Sequence, residues 1–165
     1  MFGGMRQFLL GVHIFLAIIW VGGVLFVGWG VYPAAKSMAY EVQRKFFLSL
    51  MSWTHRMFTA AGSGVILTGV LLGTVAGPIR HWDDIWHTEY GNIWFSALII
   101  GLFTLLWGVF VGYRKSTQIF SKTFLWKIAE NGNKQPLTHA LASLVVIESI
   151  EVVGFLTLIV LMISF

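Results

Sequence analysis

A chain of 165 residues suits a single domain, but 57% hydrophobic against 11% charged is far from the soluble balance of about half apolar and a quarter charged. Lipid is the implied solvent. With no cysteine, disulfides, thiolate metal sites, thiol catalysis and c-type haem attachment are excluded.

The first apolar stretch, Gln7 to Ala35, holds no Asp, Glu, Lys or Arg, and about 20 such residues cross a bilayer as a helix. It is more than twice the length of a signal-peptide core of about 7–15 residues, so it is expected to stay in the mature chain. The connection after it contains Glu41 to Trp53 without Gly or Pro and is expected to be helical and to run straight into a second span. That span, Met57 to Ile79, carries Gly69, Gly73 and Gly77 at four-residue intervals, a face on which a neighbouring backbone can approach closely.

Gly77-Pro78 breaks the helix, and His81 to His87 then alternates aromatic and polar groups, as in an interfacial turn with Trp at headgroup level. The third stretch is Tyr90 to Tyr113. Between Arg114 and Gln135, Ile119, Phe120, Phe124, Leu125 and Ile128 fall at near-helical spacing, which predicts an amphipathic helix at the membrane surface. Asn131-Gly132 would end it and Pro136 suits the first turn of the last span, Leu137 to Phe165, which carries Glu148 and Glu151. The expectation is an all-α, integral membrane four-helix bundle, one domain over 1–165 with spans near 8–34, 56–77, 92–113 and 137–163.

Nine of the eleven Lys and Arg lie in the two connections on one side, Lys36 to Arg56 and Arg114 to Lys134. The positive-inside rule makes that side cytoplasmic and both termini extracytoplasmic in an inner membrane. The net charge of +4 therefore reflects topology and anionic headgroups of membrane lipid; nucleic acid is not implied.

An ionisable group inside a span is costly and by default marks a site. The candidates are His13, His55 with Arg56, His139, and the pair Glu148 and Glu151, three apart on one helix face near the midplane. His13 falls in the outer half with His81 and His87 above it; His55 and His139 fall towards the cytoplasmic side. That sorting suits haem b, one or two, held by axial imidazoles between helices. Two like charges on one face in lipid resist joint ionisation, so proton handling is expected of the glutamates; hydrogen bonds to a quinol or porphyrin, direct metal ligation, a charge pair with Arg56, a bond to a neighbouring helix, and reach towards His13 stay open.

His13, Trp20, Gly22 and Gly23 form H-x6-W-x-G-G, which resembles the first helix of the CopD-type copper-resistance membrane proteins and, more distantly, the HemJ-type protoporphyrinogen oxidases. Pro33 at the end of that helix, Arg56 ahead of a small-residue helix reaching Thr68-Gly69, Tyr90-Gly91 opening the third helix and a Glu in the fourth continue the likeness. The resemblance implies a helical bundle whose first-helix histidine, here His13 beside Trp20, binds haem or copper. Those families often carry a Lys inside the third helix where Ala97 stands here, a departure from porphyrinogen oxidation, and the additional His55 and His139 point to a cytochrome-like relative.

Three functions follow. One is a haem b redox protein or subunit that transfers electrons, with quinol as a possible partner, while the glutamates manage protons. Another is a copper-handling permease in which His81 and His87 with Asp83 or Asp84 capture the ion and His13 with the helix-four carboxylates Glu148 and Glu151 passes it inward, with Met1 and Met5 as soft donors. The last is a non-catalytic subunit of a larger membrane complex, with other membrane subunits or further copies as partners.

Overall fold

The computed structural model describes residues 2–164, and side chains from Gly4 onward; Met1 lies outside the described residues. Six helices account for the fold: α1 (Gly4–Ala35), α2 (Tyr40–Gly73), α3 (Trp82–His87), α4 (Glu89–Ser121), α5 (Thr123–Glu130) and α6 (Gln135–Ile163). There is no strand among the described residues. Four of the six, α1, α2, α4 and α6, are long and apolar enough to cross a bilayer. The chain is an all-α four-helix bundle of the multi-pass membrane type.

At the end carrying the basic connections the helices outrun the apolar stretches, because helix formation does not stop at the membrane edge, whereas α2 stops at Gly73, short of the expected Ile79. α2 begins at Tyr40 and α4 continues to Ser121, since the flanking sequence lacks Gly and Pro and each turn is cheap to add once a helix is nucleated. α1 runs two residues past Pro33 to Ala35. Pro33 has no N–H to donate, and the turn before it, Val27–Val31, is widened to π-helix. Two further π-helical turns lie at Ile18–Gly22 and Trp107–Gly112; such widened turns are often found at functional sites.

α2 ends where Gly77 lets the chain fold back on its own last turn: a Cβ there would strike the carbonyls of Leu72 and Gly73. Ala76 and Ile79 donate to Leu71 and Gly73 at 2.9 and 3.1 Å. Gly69 and Gly73 serve differently from the expected backbone approach. They are notches for side chains, Gly69 for the His13 ring and Gly73 for the Trp94 indole, whose N–H donates to the Gly69 carbonyl at 3.1 Å.

The expected single amphipathic helix is split at Lys122: Ile119 and Phe120 end α4, and Phe124, Leu125 and Ile128 lie on α5. The apolar face of α5 is divided: Phe124 is 72% exposed, whereas Trp126 and Ala129 are buried against Phe47, Phe120, Ala35 and Leu137. This dry cluster caps the end of the bundle that carries the basic connections, with Phe47 and Phe120 stacked at 4.9 Å. Lys122 turns the chain out of α4, and Gly132, at φ 103°, turns it into α6. A second dry cluster, Trp20, Ala61, Leu105 and Phe155, occupies the middle of the bundle.

In cross-section α1 packs on α2, α2 on α4 and α4 on α6. α1 and α6 meet through Trp20, whose ring stands edge-on to Phe155 at 5.1 Å. Exposed Trp53 at one end and Trp82 and Trp86 at the other form the aromatic belts expected at two membrane–water interfaces.

Candidate functional site

Between the two dry clusters lies a cavity of about 240 Å³ lined by all four spans. Its walls are mainly apolar and aromatic, and its polar residues include Thr54, His55, Thr59, Tyr113, Glu148 and Glu151. Phe47 and Phe120 form its floor on the basic side, and Trp20 and Leu105 its roof. Trp29, 73% exposed, and Val145, 55% exposed, also line it, so it opens sideways through the gap between α1 and α6.

The carboxylates are held by α4 glycines. Any side chain at Gly108 would place its Cβ 2.6 Å from Glu151 Oε1, and at Gly112 a Cβ would come to 3.0 Å from Glu148 Oε1. Both glycines belong to the π-helical turn of α4. Glu151 is 5% exposed and shares the cavity wall with Trp20. Ser116 donates to the Gly112 carbonyl at 2.8 Å and stands 3.4 Å from Glu148 Oε1. No cation pairs with either glutamate among the described residues, where the ion pairs are those of Glu41 with Arg44 and Lys45. The expected partner Arg56 is exposed instead.

His55 stacks flat on Tyr113, ring centroids 3.7 Å apart and planes 14° apart, in the cavity wall. Thr59, one turn further along α2, has a buried hydroxyl with no hydrogen-bond partner. That is unusual for a helical threonine in this chain. Thr54, Thr68, Thr74 and Thr104 each donate to the carbonyl four residues back, at 2.7 to 2.9 Å.

His13 lies elsewhere. Its Nδ1 is 2.8 Å from Thr68 Oγ1, and Thr68 spends its own proton on the Gly64 carbonyl at 2.7 Å. The ring therefore donates from Nδ1, and Nε2 keeps a free lone pair. Thr68 and His55 are thirteen residues apart on α2, or about 20 Å at 1.5 Å per residue. The expected reach of a helix-four carboxylate to His13 is not what forms; both glutamates turn to α4, Trp20 and Ser116.

These positions test the fit of the expected cofactors. One iron cannot take both His13 and His55 as axial ligands, and the cavity, below the ~300–1,000 Å³ of pockets for drug-sized ligands, has room for a single ring rather than a porphyrin. At His13 the donor set fits one axial imidazole, with Nδ1 oriented by a second group as metal-bound histidines require. His139, His81 and His87 are exposed and do not line the cavity. Asp84 accepts from the backbone N–H groups of Arg80 and His81 at 2.7 and 2.8 Å, and His87 Nδ1 lies 3.1 Å from the Asp83 carbonyl. No group of three His, Asp or Glu among the described residues is arranged to hold a metal ion.

The sequence reading singled out Trp20, His55 and both glutamates but missed Gly108, Gly112, Ser116, Tyr113 and Thr59. The four-residue spacing of Gly108 and Gly112 facing the three-residue spacing of Glu148 and Glu151 was the available signal. Comparison with protein-family models, with curated proteins and with solved structures finds no match for the chain.

Proposed function

We propose that the protein is a small membrane redox protein in which the Glu148–Glu151 pair exchanges protons with an electron-transfer step in the bundle interior. The observation that carries this reading is the placement of two carboxyl groups, without a cation, in glycine notches beside an intramembrane cavity. A carboxyl group retained in such a place is expensive, and proton transfer is the chemistry that a group alternating between its two states performs without moving the backbone.

Each surrounding residue has a part. Trp20 walls the site, Ser116 orients the Glu148 carboxyl group, Gly108 and Gly112 leave both carboxyl groups room, and the stacked Phe47 and Phe120 exclude water from the basic side. Haem b is the cofactor this reading calls for: His13 would hold it through Nε2, and bound there it would supply one-electron chemistry. The distribution of Lys and Arg favours an inner membrane with the basic connections on the cytoplasmic face.

The test is the purified protein's absorption spectrum and the pH dependence of its midpoint potential. A haem spectrum that depends on His13, with a pH dependence that flattens in Glu148→Gln or Glu151→Gln, is the expected result. A potential with the same pH dependence in both single variants and the double variant would show the carboxyl groups to be structural.

A further inference from the structure

We infer that the cavity is a binding site for the ring of a lipid-soluble quinone, entering from the bilayer between α1 and α6. The inference rests on the proton-handling reading for the role of the glutamates, and names the class of molecule they face. Four observations lead to it.

The opening faces lipid. The mouth is formed by Gly28 and Trp29 on α1 and by Val145 on α6, and Trp29 and Val145 are among the exposed apolar residues of the spans. The basic end is closed by the stacked Phe47 and Phe120. A ligand that arrives this way is dissolved in the membrane, which excludes ions and polar metabolites.

The volume, about 240 Å³, suits one ring with a tail left in the lipid. Trp20, Phe58 and Tyr113 supply flat faces, and the last is already stacked on His55.

The polar groups match the two redox forms of a quinone. A quinone carbonyl accepts hydrogen bonds and a hydroquinone hydroxyl donates them. A carboxyl group can meet both, donating when protonated and accepting when ionised. An acyl chain would leave these groups facing hydrocarbon.

Thr59 is the independent sign of a ligand. Its hydroxyl is buried and unpartnered in the cavity wall, whereas Thr54 and Thr68 of the same helix close onto their own backbone. A buried donor without a partner is costly. A ring oxygen would supply the missing acceptor, and helical threonine has two favoured χ1 positions from which to reach it.

The experiment is equilibrium binding of radiolabelled decylubiquinone to the full chain in phosphatidylcholine nanodiscs, counted against empty discs. Saturable binding above the empty discs is expected. Gly28→Phe fills the mouth; a Cβ at Gly28 meets nothing within 4 Å, so the bundle accommodates it, and Val145→Trp narrows the same mouth from α6. Either should weaken binding on the order of tenfold, equal to about 1.4 kcal/mol. Gly22→Phe, lipid-facing and outside the cavity, should bind as wild type does. Thr59→Val should weaken binding while leaving thermal stability equal or higher, because it removes the orphaned hydroxyl.

Absence of excess binding, or equal binding in the mouth variants, overturns the inference. So does equal competition by decylbenzene, which would make the cavity a slot for hydrocarbon chains. If binding is absent while Glu151→Gln still flattens the pH dependence of the potential, the quinone is wrong and the proton-handling reading stands. If binding is present and the pH dependence is unaltered, the reverse holds.

Discussion

His13 on α1 and the Glu148–Glu151 pair on α6 are both polar insertions into apolar helices, yet the bundle houses them in different ways. His13 reaches one neighbour, Thr68, which is already bonded to the Gly64 carbonyl, and its ring edge rests in the notch of Gly69. The niche is local, between two adjacent helices. The glutamates instead draw on three helices: α4 supplies the notches and Ser116, α1 supplies Trp20, and the walls of the cavity come from all four spans. What separates them is whether the partners close the hydrogen bonds, as Thr68 does, or leave them facing a cavity with an unpartnered hydroxyl nearby.

The largest effect that would break the comparison is expected from filling a glutamate notch. Gly108→Leu drives a side chain into Glu151, and the carboxyl group or α4 itself must move. Overpacking of this kind costs about 1–3 kcal/mol, and loss of the pH dependence of the redox step should accompany a fall in thermal stability. Gly11→Leu meets open space and should leave both unchanged. If Gly108→Leu is as stable as wild type and keeps its pH response, the notch does not position Glu151.

Next in size is the loss of cofactor from the histidine niche. His13→Leu removes the axial ligand proposed above, so haem content should fall to background. Stability should change by less than about 1 kcal/mol, because Thr68 keeps its bond to Gly64 and no buried group is left without a partner. Glu151→Leu is the contrasting case. It relieves the burial of an ionisable group and leaves the α4 notch lined by hydrocarbon, so stability should hold or rise. A His13→Leu variant that retains full haem content removes His13 from the ligand set, and one that unfolds would make the niche structural.

The fold was legible because span length and charge exclusion act through single-residue chemistry. Gln7 to Ala35 cannot be anything but buried in lipid or protein, and helix is the structure that satisfies its backbone there. The site was half legible. Glu148, Glu151, His13 and Trp20 stand out by type and depth, but which of them meet depends on how each helix is rotated about its axis. Rotation is set by packing of small residues: Gly108 and Gly112 turn α4 towards the carboxylates, and Gly69 and Gly73 turn α2 towards His13 and Trp94. In sequence those glycines look alike. Thr59 was invisible for a related reason, since every helical threonine can bond its own backbone and only the structure shows that the Thr59 hydroxyl is buried without doing so. The π-helical turns at Ile18–Gly22 and Trp107–Gly112 also shift the face that follows them, so regular 3.6-residue spacing misplaces side chains beyond them.

The smallest effect lies outside the membrane, where a carboxylate is held by the opposite logic to the buried pair. Asp84 lies in the first turn of α3 and accepts from the backbone N–H groups of His81 and Arg80, and those two bonds hold its carboxyl below the ordinary carboxylate range. A carboxyl group with a depressed value in the folded chain contributes stability above the unfolded value of about 3.9, and loses it as pH falls through the folded value. The contribution is therefore complete at neutral pH and disappears only in strong acid. Solvent screens it, so global unfolding should scarcely respond. The local readout is hydrogen exchange at the Arg80 and His81 amides. Asp84→Asn should speed exchange there at neutral pH, by weakening the charge-assisted bonds, and should make it insensitive to acid in the range where the wild type loosens. Unchanged exchange at those two amides in Asp84→Asn would show that the turn after Pro78 is fixed by backbone packing, with Asp84 only a bystander to it.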